Sequence, residues 1–423
     1  LPKIKLPYYT GHLEIEVAEK NLKAVLLPAA GEPATKLNQS ELVRRALAAP
    51  IGTPPLSTLA AGKRKVLIVT SDHTRAMPSR VTLPLLLEEI RQGNPAADIT
   101  ILIATGLHRR MTDAEQMDRF GEAIVEREKI VCHDAYEAED LRFVGDLPSG
   151  AKLSVNKLAL EADLLVTEGF VEPHFFAGFS GGPKSILPGI ASAAAVNENH
   201  SATAIAHGNS RTGVMHGNRI QEDMLAAAKM TGVDFILNVA LSDDKAIDAV
   251  FAGELEAAHA AACSFVRARA GVERVIGDIV VTSNGGYPLD QNLYQTPKAM
   301  TTAWECAAPG AVIIMVASCV DGLGGDHFER LLLSGPPERV LTDILATPGR
   351  DTVPEQWNAQ ILCDILLHHK VILVTTHLDQ ATIRKLGMLP ARTPNEALAI
   401  AYGLTSPAAA VVVIPDGVAV LVK

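Results

Sequence analysis

Eight short runs of Val, Ile, Leu and Ala, apolar at successive positions, constrain this chain more than any other feature. They are KVLIVT (65–70), ITILIAT (99–105), DLLVTEG (163–169), FILNVAL (235–241), DIVVTSN (278–284), AVIIMVA (311–317), KVILVTT (370–376) and AVVVIP (410–415). A strand apolar on both faces must be covered on both sides, which is the condition of a parallel strand in an α/β sheet. Amphipathic segments between several of them, such as SRVTLPLLLEEIRQ (79–92) and MLAAAKMT (224–231), supply the covering helices. The alternation predicts βαβ units and, at 423 residues, more than one domain. The expected fold is two Rossmann-like α/β domains with mainly parallel sheets and a site in the cleft between them. The polar, glycine-containing stretch RARAGVERVIGD (267–278) marks the boundary. It predicts one domain of residues 1–270 plus 405–423 and a second of 275–404. The last strand is assigned to the first domain because chain termini often lie close together.

Composition excludes several classes of function. Lys plus Arg number 38 against 48 Asp plus Glu, a formal charge of −10, whereas nucleic-acid-binding faces are basic. The five cysteines are widely spaced and form no CxxC pair, so neither a disulfide framework nor a thiolate zinc site is expected. His200, His207 and His216 are also spaced too loosely for a zinc motif. No apolar run reaches membrane-spanning length, because Pro415, Asp416 and Gly417 interrupt the longest, and the N-terminal LPKIKLPYYTGHLEIEV has no signal-peptide pattern. These features predict a cytoplasmic protein with no nucleic-acid or membrane partner.

Polar residues gather directly after the strands: SDHTR, GLHRR, EGFVEPHFFAGFSGGPKS and SNGGYPLDQNLYQTPK. In open α/β sheets ligands bind at the carboxyl ends of the strands, so these loops are expected to converge. In GFSGGPKS, glycines Gly178, Gly181 and Gly182 with Ser180 let a backbone approach a ligand closely and offer N–H groups to phosphate. Pro183 replaces the second glycine of a P-loop, which argues against NTP hydrolysis. A tight strand–helix turn would explain the glycines and proline but not Lys184, which can meet phosphate or act as an amine nucleophile. A lone histidine is usually structural. Three in strand-terminal loops, His108, His174 and His200, point instead to an acid/base pair and a metal ligand. Arg75 and Lys298 are candidate carboxylate binders, with isolated surface ion pairs as the alternative. Tyr294 and Gln295 are spaced to share a helix face with Lys298.

In their order and number, the segments SDHTRAMPS (71–79), TGLHRR (105–110), EGFVEPHFFAGFSGGPKSILPGIAS (168–192), NHS (199–201), FAGELEAAH (251–259), NGGYPLDQNLYQTPKAM (284–300) and PDGVAVLVK (415–423) resemble the nickel-dependent lactate racemase family. The resemblance runs over nearly the whole chain. It implies a nickel-pincer nucleotide, pyridinium-3-thioamide-5-thiocarboxylic acid mononucleotide, attached to Lys184 and supplied by cofactor-biosynthesis enzymes. It implies His200 as the protein ligand to nickel and His108 and His174 as the acid/base pair. Arg75, Lys298, Tyr294, Gln295 and Trp357 are the implied substrate side, and Asp72 helps fix cofactor or substrate. Ala76, Arg110 and Pro183 depart from the family pattern without removing a proposed catalytic group.

The implied reaction is interconversion of D- and L-lactate through pyruvate. The hydrogen on C2 of a hydroxy acid is barely acidic, so oxidation to a planar keto acid and return of hydride avoids direct deprotonation. Malate or a longer 2-hydroxy acid is the alternative substrate. A nicotinamide-dependent dehydrogenase lacks support, since G-x-G-x-x-G after a strand is missing. A non-catalytic nucleotide- or metal-binding protein would have no use for two spare acid/base histidines.

Overall fold

The computed structural model describes residues 2–28, 37–242 and 244–423. All eight apolar runs form strands, in two six-stranded sheets. The first sheet has the order Ile247–Gly253, Phe235–Leu241, Leu164–Phe170, Lys65–Ser71, Asp98–Ala104, Lys129–Cys132. All neighbours are parallel except the edge pair 235–241 and 247–253. The second sheet, Leu389–Ala391, Lys370–Val374, Ala307–Val316, Gly277–Ser283, Val411–Ile414, Leu22–Val25, is parallel throughout. The fold is thus α/β, with two Rossmann-like units.

Each sheet reverses its winding once. In the first, the chain runs outward from Lys65–Ser71 through 98–104 to 129–132, then returns to place Leu164–Phe170 on the other side of the starting strand. In the second it runs outward from Gly277–Ser283 and returns to place Val411–Ile414 beside it. Loops leave such a pair of strands in opposite directions and open a crevice at their carboxyl ends.

Residues 405–423 do not simply return to the first unit. Val411–Ile414 lies inside the second sheet, where Val411, Val412, Val413 and Ile414 are fully buried. Leu22–Val25 extends that sheet, and the hairpin of Lys3–Tyr8 with Gly11–Glu16 packs on it through Leu6 and Ile15. The N-terminal segment therefore also belongs with the second unit. An apolar parallel strand suits either sheet, and proximity of termini does not choose between them. Only the last residues turn back: Leu421–Val422 pairs with Gly271–Val272, and Leu421 packs with Val171, Phe179 and Val266 of the first unit. Leu1, residues 29–36 and Asp243 of the expected first domain lie outside the described residues.

No described helix is long and apolar enough to cross a membrane. The five cysteines are all free and buried. Both tryptophans sit in helices of the second unit, Trp304 against its own core and Trp357 against the first unit, so intrinsic fluorescence reports on the second unit and on its contact with the first. Ile414→Ala, which hollows the core beside the central strand, is expected to destabilise the second unit by about 2–5 kcal/mol. The check is a lower denaturant midpoint followed by tryptophan emission. An unchanged midpoint would mean that the last strand carries little of that unit's stability.

Candidate active site

The two crevices meet. Glu172, Pro173, His174, Phe175 and Thr212 of the first unit line one cavity with Lys298, Thr302, Gly417, Val418 and Val420 of the second. Phe176 brings three of the candidates together. The rings of His174 and His200 lie 4.5 and 5.0 Å from its centroid, and Lys184 Nζ lies 5.8 Å from it. Trp357 reaches across from the second unit and packs 4.8 Å from the His200 ring. Its indole is 9% exposed and joins the core of the first unit.

Hydrogen bonds at Nδ1 set the state of each imidazole. His200 Nδ1–H donates to the Val196 carbonyl at 3.1 Å, so Nε2 carries the lone pair. His108 Nδ1 lies 2.7 Å from Asp72 Oδ2, which leaves its Nε2 a proton acceptor. His174 is the reverse: its Nδ1 accepts the Ala177 N–H at 3.3 Å, so in the neutral ring Nε2 bears the proton. Asp72 is buried, which pushes its carboxyl up. The His108 hydrogen bond and charge, Arg75 and Thr74 outweigh that and bring it to about 2. Thr74 donates to Asp72 Oδ1 from both its backbone and its hydroxyl.

Positive charge is concentrated here. Burial, then Arg75 and Lys298, bring the Lys184 ammonium down to about 7 against the pull of Glu172. Burial and Arg75 bring Lys298 down to about 8, again opposed by Glu172. His174 falls well below the ordinary imidazole range through burial, then Lys184, Lys298, Arg75 and His200. Burial and Lys184 bring His200 down to about 3. A neutral imidazole with a free nitrogen is the form that binds a metal. An amine titrating near neutrality is the form that attacks an electrophile.

The remaining expected residues divide. Arg75 is exposed at the cleft, yet its charge bears on Lys184, Lys298 and His174. Tyr294 and Gln295 occupy a short 3₁₀ turn, Leu293–Gln295, and the helix with Lys298 begins only at Pro297. They do not share one helix face with Lys298. Proline at the first helical position sets that start. Gln295 Oε1 is buried without a hydrogen-bond partner among the described residues, an acceptor left open for a ligand.

The glycine loop serves the protein before it serves any ligand. The N–H groups of Ser180, Gly182 and Lys184 go to the Glu172 carbonyl, Asn238 Oδ1 and the Gly181 carbonyl. The Ser180 hydroxyl donates to the Phe170 carbonyl and accepts from Glu172 N–H. Gly182, at φ +50°, lies so close to His259 that a Cβ would sit 2.5 Å from its ring. These contacts hold Lys184 in place and leave little of a phosphate cradle. Sequence reasoning missed His259, Asn238 and Glu172. The segments EGFVEP and FAGELEAAH contained two of them, but nothing in their spacing shows that His259 packs on a glycine.

Residues 8–213 match the lactate racemase N-terminal domain family, and residues 272–422 match the lactate racemase C-terminal domain family. The chain belongs to the lactate racemase family. It is 47% identical over 424 residues to a lactate racemase of Thermoanaerobacterium thermosaccharolyticum, covering 100% of both chains. It is 44% identical over 421 residues to a lactate racemase of Lactiplantibacillus plantarum, covering 99% of each. The solved structure of the Thermoanaerobacterium lactate racemase apoprotein superposes with a TM-score of 0.97 over 100% of both chains. A protein of Thermotoga maritima, 19% identical with a TM-score of 0.66 over 94% of this chain, shares the fold.

With its amine near pH 7, Lys184 is roughly half neutral at that pH, whereas an ordinary lysine is about 0.04% neutral. An amine-selective acylating reagent small enough to enter the cleft is expected to label Lys184 first, half-maximally near pH 7. Lys298→Ala removes a neighbouring cation and should move that midpoint upward. Peptide mapping after timed labelling reads both. Labelling of Lys184 that tracks the surface lysines would contradict the charge assignment.

Proposed function

We propose that this protein interconverts D- and L-lactate with a nickel-pincer nucleotide attached to Lys184, pyruvate being the intermediate. The observation that carries the proposal is the grouping on Phe176 of a lysine whose ammonium is brought down by burial and neighbouring cations, an imidazole with free Nε2, and a second imidazole in the opposite tautomer. That set fits the group. Lys184 supplies the amine for covalent attachment and His200 Nε2 a ligand for nickel. Among the described residues no three His, Cys, Asp or Glu side chains are grouped to hold a metal. The other donors then come from the nucleotide. When bound, that nucleotide supplies a site that takes hydride from C2 of the hydroxy acid and returns it.

The chain's residues handle the carboxylate and the proton. Arg75 and Lys298 attract and orient the carboxylate from the two sides of the cleft. His108 Nε2 accepts the hydroxyl proton as C2 loses hydride, and Asp72 stabilises the imidazolium that results. The planar keto acid, still held by its carboxylate, turns its other face. His174 takes up a proton and, as imidazolium, gives it from Nε2 to the carbonyl oxygen as hydride returns to C2, ending neutral again. The opposite direction runs these steps in reverse. His108, with its side chain 43% exposed, returns its proton to solvent between turnovers. Phe175, Phe176 and Trp357 keep the site dry, so the keto acid is retained.

The test is protein co-expressed with cofactor-making enzymes. An adduct mapping to Lys184, about one nickel per chain and turnover of both lactate enantiomers are expected. Lys184→Ala should abolish attachment, and His200→Ala should lose nickel while keeping the adduct. His108→Ala and His174→Ala should keep both yet lose about 10²–10⁴ in rate. Turnover of malate or a longer hydroxy acid in place of lactate would reassign the substrate. A loaded protein that turns over no 2-hydroxy acid would make it a binding protein.

A further inference from the structure

The loop carrying Asp72 and Arg75 runs from the end of strand Lys65–Ser71 to the start of helix Ser79–Gly93, and it is held at both its base and its middle. At the base, Thr70 and Ser79 donate to the same oxygen of the buried Glu168, at 2.5 and 2.7 Å, and Thr82 donates to the other at 2.6 Å. The middle is filled by one side chain from elsewhere. Arg119 Nη2 faces the carbonyls of Asp72, His73 and Arg75 at 3.1, 3.1 and 2.5 Å, and Nη1 donates to the Met77 carbonyl at 2.6 Å. With two hydrogens on Nη2 for three carbonyls, one bond is shared.

Arg119 lies in the short helix Asp113–Phe120, which has a second arm one turn earlier. Glu115 takes both terminal nitrogens of Arg109, at 2.5 and 2.8 Å, and the Thr112 N–H at 2.8 Å, and lies 3.8 Å from His73 Nε2. Arg109 follows His108 directly. The helix is itself anchored by Arg80, which donates to the carbonyls of Met117 and Asp118. One helix face thus grips the loop with Asp72 and Arg75 by Arg119 and the loop with His108 by Glu115.

We propose that Arg119 is a positioning residue, which sets the distance between Asp72 and His108 and aims Arg75 into the cleft. This rests on the racemase reading for its effect on turnover. Four carbonyls converging on one planar cation need its forked geometry, which an ammonium does not reproduce. Without it the His73 and Arg75 carbonyls lose their donor, those of Asp72 and Met77 keep one backbone N–H each, and the loop relaxes between its pinched ends; displacement of a catalytic contact by about 1 Å costs on the order of 10² in rate.

The experiment compares R119A, R119K and D72N with wild type. The loaded enzymes are assayed with lactate, and imidazole nitrogen NMR reads the tautomer of His108 in cofactor-free protein. Wild type should hold the Nδ1–H form that the Asp72 contact requires. R119A should shift His108 toward the tautomer mixture of D72N and lower kcat/KM about 10²-fold. R119K should show both effects more weakly, by about tenfold in kcat/KM, and serves as the test if R119A does not fold. A wild-type tautomer with activity within about threefold overturns the proposal. So does lost activity with an unchanged His108, which would make Arg119 a merely structural contact. The NMR readout needs no turnover. Loaded wild type that leaves lactate untouched sinks the racemase reading alone, and Arg119 stands or falls on His108.

Discussion

Like charges gathered at one cleft, the two lysines sunk into it and Arg75 at its mouth, govern this structure. Arg75, Lys184 and Lys298 share the cleft, and Glu172 is the carboxylate that opposes both lysines. Burial and mutual repulsion each favour releasing protons. The two lysines respond by approaching neutrality, and His174 and His200 by staying neutral. One constraint thereby yields a nucleophilic amine, an imidazole fit for a metal and a surplus of positive potential for an anionic substrate. The aromatic wall of Phe175, Phe176 and Trp357 maintains it by keeping water from relieving the repulsion.

That cleft exists because two doubly wound sheets present their switch points to each other. Glu172 and His174 follow one strand of the first pair, and Asp72 and Arg75 follow the other. Across the gap, the loop before Lys298 and the Pro415–Val420 turn leave the corresponding pair of the second sheet. Neither unit holds the site alone. Trp357 of the second unit is buried in the core of the first, and Gln360 donates to the Ala202 carbonyl just beyond His200. The metal-ligand candidate is therefore packed by the unit that supplies Lys298, so the spacing of Lys184, His200 and Lys298 is set by one interface.

The strands were legible because burial on both faces leaves a direct mark in the residues, as in KVLIVT and AVIIMVA. Membership of a sheet leaves none, and nothing in Val411–Ile414 itself says which of the two units it joins. LKAV at 22–25 is an edge strand whose burial alternates, and it looked like nothing in particular. In the site, the residues proposed to touch substrate or cofactor sit in unusual company: histidines among glycines, a lysine after a proline. Residues that act through others do not. Arg119 lies in DAEQMDRF, a helix that reads as a solvated surface, and Glu168 sits within an apolar strand where only its three hydroxyl donors, distant in sequence, justify it. The freedom of the glycines is used for close approach to His259, Asn238 and Val214, which their spacing in sequence does not show.

The two histidines differ in a way that bears on the proposed reaction. His108 is backed by a carboxylate and shaped to take a proton; His174 is backed by a backbone N–H amid cations and shaped to give one. Enantiomers are equal in free energy, so the equilibrium constant between them is unity at every pH. The ratio of kcat/KM in the two directions is then also unity, whatever the histidines do. An asymmetric pair can therefore leave its mark only on kcat and KM taken separately. The direction that begins with His108 as base starts from that ring's resting tautomer, and the other must first move the His174 proton from Nε2 to Nδ1 and add one to His108. The cost of that move lowers kcat and KM together in one direction, which lets a site of unlike histidines serve mirror-image substrates without violating their equivalence.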